Sequence, residues 1–120
     1  MMRTLDFEKL EVWKKSSRLA VDVVRELDGC RNYGLVDQLM RSSLSIPSNI
    51  AEGEERETIK ESARFLYYAK GSCGEMITQI YIATELGYIS KQKSVVFISE
   101  AKHISVMLAK LIKIRKGIVR

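Results

Sequence analysis

In four successive stretches of this chain, apolar residues recur at steps of three and four, and capping or turn-forming residues separate the stretches. That period lines apolar side chains along one stripe of an α-helix and does not fit the two-residue alternation of a half-buried strand. The first stretch predicts a helix over about residues 7–27, capped by Asp6, with Leu10, Trp13, Ala20, Val24 and Leu27 on the stripe and Ser17 between them. The segment DGCRNYG, residues 28–34, is dense in turn formers and ends it. A second helix is predicted over about 35–53, carrying Val36, Leu39, Ser43, Ile46 and Ile50 and stopping near Gly53. Pro47 inside it removes a backbone donor, so a kink or an exposed carbonyl near Ser43 is expected unless a hydroxyl or a neighbouring helix compensates. Thr58 followed by Glu61 forms a capping box and opens a third helix, whose run Ile59, Ala63, Leu66, Cys73, Ile77, Ile80 and Thr84 ends at Gly87. Ser90 caps a fourth, whose stripe Phe97, Ala101, Ile104, Leu108 and Leu111 continues to about Arg115. Short polar turns make antiparallel neighbours of consecutive helices, so the predicted fold is all-α, an antiparallel up-and-down four-helix bundle.

The length of 120 residues suits one domain, 1–120, around one core. One proline and seven glycines are too few to punctuate an all-β chain. Cys30 and Cys73 are far apart and lack metal-ligand or redox spacing, which argues against a zinc site or disulfide framework and for a reducing compartment. No window reaches the roughly 18 apolar residues of a membrane span, and MMRTLDFEKLEVWKK has no apolar run after its basic residue. A cytoplasmic protein with no membrane partner is expected.

Helix positions advance about 100° per residue, so the outward faces can be unrolled. On that reading Val12, Leu19 and Val23 lie opposite the Leu10–Val24 stripe of helix one, and Tyr68 and Ile82 lie opposite Leu66 and Ile80 of helix three. A helix apolar on two faces has more surface to bury than one small bundle hides, so these five residues are expected at the interface of a homo-oligomer. Gly71 and Gly74 support this, because glycine inside a helix costs about 1 kcal/mol against alanine and is tolerated where backbones approach closely.

The net charge of +5 is unevenly placed. Residues 1–100 hold 14 Lys or Arg against 15 Asp or Glu, whereas residues 101–120 hold six basic residues and no acid. Lys102, Lys110 and Lys113 fall on the outer side of helix four, with Lys116 and Arg120 following. Such a stripe follows phosphates by charge alone and lacks the aromatic interleaving of a single-strand stacking platform. The same lysines also suit a solvated helix end, where the macrodipole favours cations. Helix two presents Gln38, Arg41, Ser45, Ser48, Asn49 and Glu52 outward, a polar face with one strong cation.

Catalytic patterns are sparse. Glu100 and His103 have the Glu-x-x-His spacing of di-metal bundles, but His103 is the only histidine and such a site needs two. Cys73 falls on a core stripe, Cys30 sits in a turn without a base, and no glycine-rich phosphate loop follows a strand. The expectation is no metal, no cofactor and no enzymatic activity, an enzyme remaining conceivable only at a cleft between subunits.

The string SIPSNIAEG at 45–53, with Gln38 and Arg41 before it and Arg56 after it, resembles the four-helix bundle proteins encoded in intervening sequences of 23S ribosomal RNA genes. FEKLEVWKKS near the start, YGL at 33–35, GSCGE at 71–75 and IATELGY at 82–88 resemble the family's other landmarks, in order. The resemblance implies a ring-like homopentamer and no catalytic residues. It also implies kinship with accessory subunits of reverse transcriptases in diversity-generating retroelements. Met40 departs from the pattern where members often carry a second basic residue beside Arg41. The function expected is a non-enzymatic, homo-oligomeric accessory protein that binds RNA or DNA backbone through Arg41, Arg56, Lys102, Lys110, Lys113 and Lys116. The alternative is a protein-interaction scaffold, for example for a reverse transcriptase, that does not touch nucleic acid.

Overall fold

A computed structural model describes residues 6–117. A short 3-10 turn at Asp6–Lys9 leads into α1 (Glu11–Glu26), followed by α2 (Tyr33–Glu55), α3 (Ile59–Glu85) and α4 (Lys91–Arg115). Each helix packs on its neighbours in chain order and α1 closes on α4, which makes a four-helix bundle with two diagonal pairs that do not pack.

The caps at α3 and α4 form as their sequences predict. Thr58 Oγ1 accepts from the Glu61 amide at 3.1 Å, and Ser90 Oγ accepts from the Lys93 amide at 3.2 Å. Asp6 does not cap the first helix: it lies in the 3-10 turn, and α1 begins beyond Leu10 with no side-chain cap. Phe7 instead meets Trp13 edge to face, with centroids 5.4 Å apart, and fixes the entry to α1. Helix α2 starts two residues before the predicted 35, because Asn32 Oδ1 accepts from the Leu35 amide at 3.1 Å. Gly29 and Gly87 end the helices before them at φ of 81° and 83°, a conformation other residues adopt only with strain.

The core collects Leu39, Ile46 and Ile50 from α2, Leu66, Cys73, Met76 and Ile80 from α3, and Phe97, Ala101, Ile104 and Leu108 from α4. Ile59, placed on the α3 stripe by its spacing, stands 64% exposed on the first turn. Helix α2 runs unbroken through Pro47, whose ring is buried, and Ser43 in the preceding turn donates to the Leu39 carbonyl at 2.7 Å.

Helix α1 faces the core with the stripe assigned above to an interface. Val12, Leu19 and Val23 are buried within the chain, together with Ser16, Ala20 and Leu27. They are therefore core residues of one subunit and not available to a second. The physical reason lies in the angle: Val12 and Trp13 differ by about 100°, so the two apolar stripes are neighbours on one broad arc and not opposing faces. Trp13 and Leu10 close the flank of that arc.

The motif SIPSNIAEG is read by α3. Ile46, Pro47, Ile50 and Gly53 are buried. At Gly53 a Cβ would lie 3.1 Å from the Ser62 carbonyl oxygen, a tight approach that a side chain could share only if α3 gave way by a few tenths of an ångström.

Candidate nucleic-acid interface

The basic residues do not form one site. Arg56 pairs with Glu52 at 3.3 Å and lies 4.5 Å over the Phe65 ring, at the far end of α2. Lys116 sits 5.1 Å over the Tyr67 ring, and Arg115 pairs with Glu54. Arg41 lies on the α2/α3 side of the bundle. Arg120 lies outside the described residues.

Lys102, Lys110 and Lys113 are all exposed on α4, and among the described residues none forms an ion pair. Their register places them within an arc of about 80° on the side away from the core. Valines interrupt them: Val95, Val96 and Val106 are exposed on the same side of α4, an apolar component that the lysine spacing concealed.

Beside this stripe, α1 and α4 leave an open groove of about 650 Å³ between them. Its walls carry Lys14, Lys15 and Arg18 from α1 and Ser99, Glu100, His103 and Ile104 from α4. Lys14 lies 3.7 Å from Glu11, and Arg18 is held at 2.9 Å by Asp22, while Lys15 has no ion pair among the described residues. Lys14, Lys15 and Arg18 make the α1 edge of the groove cationic, a character that suits a phosphodiester backbone, whereas its α4 edge carries no lysine, and Lys102 lines a separate groove with Tyr81 and Thr84 of α3 and with Lys91, Ser94, Val95, Ile98 and Ser99 of α4. Sequence reasoning missed the α1 half. Lys14, Lys15 and Arg18 belong to a segment whose charges nearly balance, and only the closing of α1 on α4 sets them along one groove. Glu100 and His103 share this groove with three cations, surroundings that disfavour a bound metal ion; among the described residues no group of three His, Cys, Asp or Glu side chains converges.

Cys73 is buried between helices, and desolvation pushes its thiol up to about 12, with Lys70 opposing weakly. A thiol so placed is not a nucleophile at neutral pH.

Exposed large apolar side chains are most numerous on α3 and α4, with Val21 on α1 and Tyr33, Met40 and Leu44 on α2 exposed besides. Tyr68 and Ile82 are 51% and 49% exposed, as their position opposite the α3 core stripe requires, and Tyr67, Tyr81 and Leu86 are exposed with them. Gly71 and Gly74 open onto the same face, and a Cβ at either would meet no atom within 4 Å. None of the helices of the described residues is long and apolar enough to cross a membrane.

A crystal structure of a protein with unknown function from the S23 ribosomal protein family of Bacteroides thetaiotaomicron superposes with a TM-score of 0.79. It is 23% identical and the alignment covers 85% of this chain and 98% of that one, which establishes the shared bundle fold. No curated protein matches the chain. The family model described as 23S rRNA-intervening sequence protein matches residues 8–110, a span from the entry to α1 through most of α4 that includes SIPSNIAEG at its centre. The chain belongs to the 23S rRNA-intervening sequence protein family.

Proposed function

We propose that this protein is a non-enzymatic, homo-oligomeric accessory protein that binds the backbone of RNA or DNA along the α1/α4 face. The observation that carries the reading is the gathering of Lys14, Lys15 and Arg18 on the α1 edge of one groove, with Lys102, Lys110 and Lys113 exposed on the outer side of the neighbouring α4 and without an ion pair among the described residues. The contacts are to phosphate, so affinity depends on charge and hardly on sequence. Assembly through the tyrosine-rich face of α3, as a pentamer by family resemblance, repeats the groove and multiplies weak contacts by avidity. Arg56 and Lys116 contribute less than their sequence positions suggest, because Glu52, Phe65 and Tyr67 already engage them. Localisation in the cytoplasm follows from the reduced cysteines this reading assumes.

The test is binding of single- and double-stranded RNA and DNA across a salt series. The slope of log affinity against log salt falls by roughly 0.7–0.9 for each phosphate contact removed. Replacing Lys102, Lys110 and Lys113 with glutamine, or Lys14 and Lys15 with glutamine, therefore flattens the slope while leaving helix content unchanged. Wild-type protein that binds no nucleic acid at about 50 mM salt, where attraction is near its strongest, rejects the reading. The exposed tyrosines and valines of α3 and α4 then favour the second one, a scaffold that docks a protein such as a reverse transcriptase.

A further inference from the structure

Two outward ridges, on the neighbouring helices α2 and α3, match each other in shape and charge. On α2, Tyr33, Met40 and Leu44 are 71%, 37% and 49% exposed, and with the exposed Glu55 they fall within an arc of about 60°. On α3, Lys60, Arg64, Gly71 and Ile82 are exposed within an arc of about 40°, and Glu61 lies about 80° from Gly71. Among the described residues Glu55, Lys60 and Arg64 form no ion pair. The packing of α2 on α3 inside the chain fixes which parts of the ridges lie at one level along the bundle. The hydroxyls of Ser45 and Ser72 bond at 2.7 Å, so Leu44 is level with Gly71 and Gly74. Ser42 Oγ donates to Gln79 Oε1 at 2.7 Å, so Tyr33, nearer the start of α2, is level with the end of α3, where Ile82 and Leu86 are exposed. Gly53 lies against the Ser62 carbonyl, so Glu55 is level with the start of α3, which carries Lys60 and Arg64.

We propose that the α2 ridge of one subunit packs on the α3 ridge of the next, head to tail, in a ring whose axis runs along the bundle. This pairing rests on assembly through α3, as proposed above, and supplies the surface that mates with it. Rotation about an axis parallel to the helices leaves every level unchanged, so neighbouring subunits meet in the register that the serine contacts set. Leu44 then enters the space beside Gly71 and Gly74, where a Cβ meets nothing of its own chain within 4 Å. Tyr33 covers Ile82, and Glu55 reaches Lys60 and Arg64. The apolar contacts supply the attraction, and the charge pair at one end orients it. An α3 face that met only its own copy would leave Tyr33, Met40 and Leu44 in water. Ring closure fits as well. The outward directions of packed neighbours in a four-helix bundle differ by about 90°, close to the roughly 90–110° that closes four or five head-to-tail interfaces, whereas the opposed faces of a diagonal pair extend into a filament. The edge made by α1 and α4 then points away from the ring axis, which keeps its groove open to a polyanion.

The test uses two full-length variants, each damaged on one ridge. Leu44→Glu alters α2 and Ile82→Glu alters α3; both positions are 49% exposed, so each variant keeps the circular dichroism of the wild type. Each alone is expected to sediment as a monomer, because a carboxylate is set against an apolar contact in every interface. Mixed in equal amounts they are expected to form a pair of twice the 13.7 kDa chain mass and nothing larger. The intact α3 ridge of Leu44→Glu meets the intact α2 ridge of Ile82→Glu, and the remaining ridges of that pair are both damaged. If α3 instead met its own copy, Leu44→Glu would assemble by itself and Ile82→Glu would add nothing to it. Assembly of Leu44→Glu to the size of the wild type, or an equimolar mixture that stays monomeric at upper-micromolar chain concentration, overturns the pairing. A monomeric wild type overturns the assembly reading beneath it, so the two failures are distinct.

Discussion

The pair Gly71→Ala and Gly74→Ala separates folding from assembly within one helix. Both glycines are exposed on α3, and an added Cβ meets nothing within 4 Å in the same chain. Within one subunit the only effect is helix propensity, about 0.8–1 kcal/mol per replacement, or about 2 kcal/mol for both. At about 3–6 °C per kcal/mol for a domain of this size, the isolated subunit gains roughly 6–12 °C in Tm. A second copy packed on the face reverses the sign of the outcome for association. Two methyl groups pressed into a close backbone contact cost about 1–3 kcal/mol each, which weakens assembly at least tenfold. Sedimentation velocity over a range of concentrations, paired with thermal denaturation at each, reads both quantities, since the Tm of an oligomer depends on concentration and that of a monomer does not. The double variant is expected to sediment as smaller species and to melt higher when dilute. A variant that gains stability and sediments as the wild type does refutes the role given to these glycines, and a monomeric wild type refutes the interface itself.

Leu19→Glu is expected to unfold the subunit, because Leu19 is 1% exposed in the core and an unpaired carboxylate there costs several kcal/mol; Ile82→Glu, on the open face of α3, dissociates the oligomer with helix content intact, as circular dichroism and sedimentation together will report. Gly53→Ala is expected to destabilise by about 1–2 kcal/mol in urea denaturation, since strain against the Ser62 carbonyl outweighs the gain in propensity; increased stability would show that α3 yields freely at that crossing. Because burial raises the Cys73 thiol to about 12 from an ordinary value near 9, the folded state holds this proton more tightly than the unfolded. That contribution to stability is complete below about pH 9 and is lost as pH rises toward 12, so Cys73→Ala flattens the decline in alkaline denaturation curves. At neutral pH a maleimide labels Cys30 in the native protein and reaches Cys73 only on unfolding; equal labelling rates would contradict the burial.

Much of the fold is local and was therefore legible. Thr58 with Glu61, and Ser90 before its helix, declare their caps within four residues, and the stripes of α2, α3 and α4 name Leu39, Ile50, Leu66, Ile80, Ile104 and Leu108 as core. Period alone failed at α1, because an apolar arc wide enough to hold both Val12 and Trp13 permits more than one rotation about the helix axis. The contacts with α2 and α4 select the rotation that buries Val12, Leu19 and Val23.

The chain by itself determined four helices, the caps of α3 and α4 and three of the inward faces, since each depends on residues a few positions apart. Tertiary structure decided which charges act together. Lys14 and His103 are nearly ninety residues apart and share one groove, whereas Arg41 and Lys110, similar as isolated cations, stand on different sides of the bundle. Coulombic attraction acts through space over about 10 Å at moderate salt, so a site built from charge exists only once the helices have closed.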